Sequence, residues 1–414
     1  MRLELVLGSL FFTTVCFSQD SLPAKQVVCH FVEEDAFTTI RSQQLPNARI
    51  EATSSIEVTY SSNFPANAKT AFEYAVQLWE SKLVSTVPIR INATWSSLSG
   101  STLAQSGTSR IYRNFTNAPY SNVWYPVALA EAIAKRELNV TSEADINVTV
   151  SSNINWYFGT DARAQSGRFD FVTVVLHEIA HGIGITSTLE VLDNGTQGQW
   201  GQNGSGYIYD VFIQDSQKRQ VINTSIYSNP STSLKSVITG GVLFFGLRDS
   251  KFANALPRIH APTSYTEGVS ISHLDESTYP VGSANSLMSP NIRSAEVNHS
   301  QGELLLNILL QMGWGVNGVS SSIILSEESV EPVLDVLIYP NPVQSQLFVA
   351  IPNQNARDVS IEILNFNGQI IEQITDSNIQ SKTYEFGLET LAAGLYFVRV
   401  KDGNRITKRR IVKN

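Results

Sequence analysis

One stretch constrains this chain more than any other: Val175-Leu176-His177-Glu178-Ile179-Ala180-His181-Gly182-Ile183-Gly184. On a helix His177 and His181, four positions apart, stack on one face about one turn from each other. Two imidazoles at that spacing can bind a single Zn²⁺. Glu178 projects beside them, where its carboxylate can take a proton from a metal-activated water. Residues 171–176, Phe-Val-Thr-Val-Val-Leu, are almost wholly apolar, which predicts a helix buried through a domain centre. Gly182 and Gly184 weaken that helix where the chain would turn beneath a metal. Two core histidines beside a surface glutamate would explain the spacing, but not the apolar flank and the glycines as well. The expectation is a metal site.

Two histidines do not hold a catalytic zinc, which usually has three protein ligands and one open position. The compact signature HExxHxxGxxH puts the third ligand six residues after the second histidine. Gly184 fits that pattern, but residue 187 is Ser. Three downstream candidates remain: His260, His273 and His299. His273 is favoured, because Ile271 and Leu274 flank it with apolar side chains and it closely precedes Leu287-Met288-Ser289-Pro290. His260 follows Arg258 in a Pro-rich loop. His299 sits at the start of a predicted helix, where capping or surface placement suffices.

The chain of 414 residues is long enough for two or three domains, and 42% hydrophobic with 16% charged residues is a globular composition. A net charge of −8 argues against a nucleic-acid partner. Residues 1–18 read as a secretory signal: Arg2, an apolar run over 5–17, then Cys16 and Ser18 before a cut ahead of Gln19. That run is too short to span a bilayer and no other segment reaches about 18 apolar residues, so no transmembrane helix is expected. After cleavage Cys29 is the one remaining cysteine, which leaves no intramolecular disulfide. Residues 19–50 have little periodicity and read as a pro-segment. Cys29 there is either a thiolate that occupies a zinc's open position or an ordinary buried thiol.

Order is expected from Ile56. Strands are predicted over 56–60, 88–95 and 144–151, and helices over 66–84, 126–138 and from about 171. The insertion 185–270 is rich in Gly, Asn and Ser, with short strands expected at 207–213 and 241–245. A helix over 300–313 closes the domain. This is an α+β order, a mixed sheet packed against an active-site helix and a C-terminal helix. Residues 316–332 read as a linker. From 333 to 414 short alternating segments and the turns Asn365–Gly368 and Lys401–Asn404 predict a small antiparallel β-sandwich.

His-Glu-Ile-Ala-His-Gly-Ile-Gly, a long insert, Ser272-His273, then Leu287-Met288-Ser289-Pro290 and a helix ending Met312-Gly313-Trp314 together resemble the leishmanolysin-like metzincins. The resemblance covers about 56–315, within a domain read as 51–315. It implies a zinc metallopeptidase domain with His177, His181 and His273 as ligands, Glu178 as the base, and Met288 in the turn beneath the metal. Pro290 departs from metzincins that carry a tyrosine two residues past that methionine, so no extra oxyanion donor is assigned. Tyr339-Pro340-Asn341-Pro342-Val343, Leu391 to Val400, and the basic close Lys408 to Lys413 resemble the type IX secretion sorting domain. That implies export through the periplasm of a Gram-negative bacterium and contact with the type IX machinery, with release or attachment at the cell surface.

The expectation is therefore a secreted zinc endopeptidase acting on a protein or peptide substrate. The rival is a cell-surface adhesion or binding protein on the same scaffold, its metal purely structural. An intact Glu178 argues against the rival, since a structural site needs no base.

Overall fold

The computed structural model describes residues 20–41, 52–192, 194–247, 256–319, 336–351, 357–365, 369–379, 382–402 and 405–414. The signal segment, most of the 316–332 stretch and the tips of both predicted C-terminal hairpins lie outside the described residues. The chain divides into two units, Met1–Ser322 and Ile323–Asn414.

The first unit is built on a six-stranded mixed sheet. Its strands are β1 (Val27–Ile40), β2 (Ile56–Tyr60), β3 (Ile89–Ser96), β4 (Thr102–Thr108), β5 (Ile146–Ser151) and β6 (Asn291–Asn298). Their order across the sheet is β6-β1-β4-β5-β3-β2. β2, β3 and β5 run parallel, β4 is antiparallel to both β5 and β1, and β6 is parallel to β1. The period-two apolar pattern explains β3 and β5, which bury Ile89, Ile91, Ala93, Ile146, Val148 and Val150. It does not explain β1. The polar stretch expected to be irregular is a fourteen-residue strand.

Helix α1 (Ala66–Glu80) buries Ala68, Phe72, Ala75, Val76 and Trp79, one stripe at helical spacing, and packs on α3 (Phe171–Gly182). The Trp79 indole donates to the main-chain oxygen of Leu176 at 3.1 Å, which ties the two helices together. α1 stops at Glu80 rather than 84, because Leu83 and Val84 pair antiparallel with Gly315 and Val316. The shorter α2 (Val127–Ala134) ends where Lys135 turns left-handed at φ 54°. The stretch 207–213, expected as a strand, instead forms a turn and a short 3₁₀ helix over Asp210–Phe212. The buried Asp210 carboxylate organises it, accepting from Ser187 Oγ at 2.6 Å and from the Tyr207 main-chain nitrogen at 2.9 Å. Helix α4 (Gly302–Met312) follows β6, with Leu304, Leu305, Ile308 and Leu309 buried.

α3 is the centre of this unit, and every one of its residues is buried. Asp170 caps its first turn, accepting from the Thr173 nitrogen at 2.8 Å and the Thr173 hydroxyl at 2.7 Å. Val172, Val174, Val175, Leu176 and Ile179 each stabilise the fold by roughly 1.5–3 kcal/mol through burial. Gly182 answers a packing need: a Cβ there would lie 2.2 Å from Cγ2 of Ile146, so its absence lets the helix lie on β5. Gly184, at φ +128°, makes the turn that follows.

Among its described residues the second unit is all-β: β7 (Leu337–Tyr339), β8 (Gln346–Ile351), β9 (Arg357–Asn365), β10 (Ile370–Ile379), β11 (Lys382–Gly387), β12 (Gly394–Asp402) and β13 (Arg405–Lys413). β7-β8-β11 form one antiparallel sheet and β10-β9-β12-β13 another, around a core that includes Val349, Ile361, Ile363, Phe386, Val398 and Ile411.

Candidate metal centre

Helix geometry sets His177 and His181 one turn apart, with their Nε2 atoms 3.0 Å from each other. His273 reaches them from the far end of the insertion, its Nε2 3.2 Å from each of the other two. Main-chain bonds hold its segment on both sides. His260 nitrogen donates to His273 oxygen, Ile271 nitrogen to His260 oxygen and Leu274 nitrogen to Met288 oxygen, each at 2.8 Å. Ile271, buried two residues before the histidine, has φ 72°. A β-branched residue in the left-handed region carries roughly 1–3 kcal/mol of strain, and the packing around it imposes that conformation.

Each ring is oriented through its other nitrogen. Nδ1 of His177 donates to Leu287 oxygen at 2.7 Å, that of His181 to Ile185 oxygen at 2.6 Å, and that of His273 to Val269 oxygen at 2.7 Å. A carbonyl can only accept, so Nδ1 bears the hydrogen and Nε2 of each neutral ring is a bare lone pair. Burial pushes His177 down to about 4 and holds His181 and His273 well below the ordinary histidine value, so the rings are neutral. Three lone pairs aimed at one another repel unless a cation lies among them. Their separations approach the ~3.3 Å expected between nitrogens that each lie ~2.0–2.1 Å from one tetrahedral ion. The donor set therefore fits a divalent ion that favours imidazole.

Glu178 is buried beside them, and its carboxylate oxygens make no hydrogen bond of ordinary geometry among the described residues, although the Cys29 thiol and the Ser106 hydroxyl stand close to it. Its main-chain oxygen accepts from the Ser106 hydroxyl at 2.8 Å, which anchors the helix to β4. Burial raises its carboxyl to about 8, as expected of an acid kept from water with no cation beside it. The sulfur of Cys29, on β1, falls in one cluster with His177 and Glu178, ligand atoms within 4.8 Å of one another. Burial, then the charges of Glu178 and Glu296, push the Cys29 thiol well up.

Met288 is fully buried at the end of a 3₁₀ turn, Ser286–Met288, whose Leu287 supplies the carbonyl that orients His177. The other two histidines lie elsewhere. His299 pairs through Nε2 with Asp170 at 2.8 Å, behind the start of α3. His260 lines a surface groove with His30 and Phe31. The orienting carbonyls of Leu287, Ile185 and Val269 left no trace in the sequence, since any residue supplies a main-chain oxygen. Nor did the passage of β1 over the site.

Residues 337–414 match the family described as a secretion system C-terminal sorting domain. Residues 68–225 match a second family, SPBPB7E8-like, which takes in His177, Glu178 and His181 but ends before His273 and whose description names no activity. No curated protein matches the chain. The C-terminal unit is thus a type IX sorting domain, the part that meets the secretion machinery of a Gram-negative bacterium, and the protein is secreted or attached to the cell surface. Among the described residues no helix is long and apolar enough to cross a membrane.

Proposed function

We propose that the first unit is a zinc-dependent endopeptidase of the leishmanolysin-like metzincin kind. The observation that carries this reading is the convergence of three neutral, carbonyl-oriented imidazoles, Nε2 atoms 3.0–3.2 Å apart, beside the fully buried carboxylate of Glu178. His177, His181 and His273 would hold Zn²⁺ and leave one position open. A bound Zn²⁺ supplies Lewis-acid chemistry, acidifying water and polarising a peptide carbonyl. Glu178 takes the proton from the attacking water and returns it to the leaving amine. The low-dielectric surroundings strengthen each of these charge interactions. Leu287, Ile185 and Val269 keep the rings in the tautomer that binds metal.

The test is digestion of casein by the purified mature protein with and without a chelator, alongside Glu178→Gln. Hydrolysis lost to the chelator, restored by zinc and absent from the variant is the expected pattern. Metal binding without hydrolysis of any protein substrate would leave the adhesion reading in its place.

A further inference from the structure

Strand β1 runs antiparallel to β4 through Val27–His30 and parallel to β6 through His30–Ile40. Between these neighbours it carries an extended chain across the metal centre, with Cys29 in the cluster with His177 and Glu178. Yet it adds little to the core. Among its described side chains Val27 and Cys29 alone are buried, and Phe37 is 72% exposed at φ 43°. β5, by comparison, buries Ile146, Val148 and Val150. Apart from Val27, Cys29 and the half-buried Phe31, whose ring lies 4.9 Å from that of Phe169, β1 is held by main-chain pairing and by polar contacts that the rest of the unit makes to it.

The most complete of those contacts is at Asp35. Its carboxylate accepts from the hydroxyls of Ser166 and Ser294 and from the Gly167 nitrogen, the last at 3.1 Å. None of these donors belongs to β1: two sit in the loop before α3 and one on β6. Together they hold the Asp35 carboxyl below the usual aspartate value. Glu34, one residue earlier, reaches Arg293 at 3.5 Å but is 70% exposed, so it contributes little.

We propose that the gap between β4 and β6 is a groove for an extended peptide and that residues 27–40 occupy it in the form seen here. Ser166, Gly167 and Ser294 then make a subsite for an acidic side chain, six residues C-terminal of the one facing the metal centre. Strand addition takes its affinity from main-chain hydrogen bonds, which any sequence can make, and its selectivity from side-chain sites such as this one. While β1 stays in place no other peptide reaches the metal centre. Once it leaves, peptides with an acidic residue at the Asp35 position bind best. The proposal rests on the peptidase reading for the fate of the peptide, but not for its binding.

The experiment uses the full chain carrying Glu178→Gln, so that no probe is hydrolysed. A site-specific protease sequence replaces residues 43–49, outside the described residues. After cutting, a fluorescent peptide of residues 24–41 competes with the resident fragment. The cut chain is expected to keep its circular dichroism and to take up the peptide saturably. An Asp35→Ala peptide is expected to bind about 10-fold more weakly, the low end for hydrogen bonds to a charged group because two of the three are solvent-exposed. Glu34→Ala should stay within about 3-fold of the parent. Unfolding on cutting, or no exchange short of unfolding, would make β1 a permanent core strand and overturn the proposal. Equal binding of the Asp35→Ala peptide would remove the acidic subsite. Intact exchange in a parent protein that hydrolyses nothing would sink the peptidase reading and leave this one standing.

Discussion

His177 and His273 stand 96 residues apart in the chain, yet their Nε2 atoms lie 3.2 Å from each other. Two ligands one turn apart on α3 bind a divalent ion weakly, and the third from the insertion closes the set. His273→Ala is expected to take zinc from about one ion per chain to under about a tenth after dialysis, read by atomic emission. His260→Ala should keep its zinc. So should His299→Ala, although loss of the buried partner of Asp170 destabilises it by roughly 1–3 kcal/mol. Full zinc occupancy in His273→Ala would remove that residue from the site.

Glu178 stands outside the three-histidine cluster, although its carboxylate shares a second cluster with His177 and Cys29. Replacing its carboxylate by an amide keeps the shape and removes the proton acceptor. Glu178→Gln is expected to retain zinc and its thermal midpoint, while the rate of casein hydrolysis falls at least ~10²-fold. Cleavage undiminished in a zinc-loaded variant would show that the proton goes elsewhere.

How far the sequence foretold this site depends on what each part is made of. The helix that bears His177 and His181 was legible, because its apolar run has nowhere to go but a core. His273 could be preferred from its apolar neighbours and its distance to Met288. Strand β1 could not be read, since a strand that buries two described side chains leaves no period-two trace. Nor could the stretch 207–213: Tyr207, Tyr209 and Phe212 look like a strand, but the buried Asp210 gathers main-chain donors and bends the chain into a turn. The end of α1 was missed because pairing with Gly315 and Val316, far along the chain, overrides local helical preference.

Away from the metal centre, Glu131 gives the unit a pH-dependent stability. It is 1% exposed, and one carboxylate oxygen accepts from the nitrogens of Leu138 and Asn139 at 2.8 and 3.2 Å. The other has no partner among the described residues. Burial, then the charge of Asp145, raises its carboxyl from 4.5 to about 7. The folded chain therefore holds this proton more tightly than the unfolded one. Its contribution is fully present below about pH 4.5 and is lost as pH rises through about 7, a change of roughly 3 kcal/mol. Glu131→Gln keeps the acceptor and cannot ionise. Between pH 5 and 8 its urea midpoint should fall less than that of the parent, and parallel curves would assign the titration to another group.

Gly182 offers a sharper test of how the metal helix is seated. In an isolated helix Gly→Ala stabilises by about 1 kcal/mol. Here the added methyl would meet Ile146 Cγ2 at 2.2 Å, and the start of β5 cannot yield without disturbing its pairing with β3 and β4. Overpacking of this kind costs about 1–3 kcal/mol, so Gly182→Ala is expected to destabilise despite its better helix propensity. Since Gly182 follows His181 directly, the shift also moves a candidate ligand, and zinc affinity should fall with stability. Ile146→Ala removes the clashing carbon at a cavity cost of roughly 2–5 kcal/mol. If the two positions meet as described, the double variant is destabilised by less than the sum of the singles. Urea midpoints for the four proteins of the cycle decide it: additive effects, or a Gly182→Ala more stable than the parent, would mean that α3 does not rest on β5 at this point.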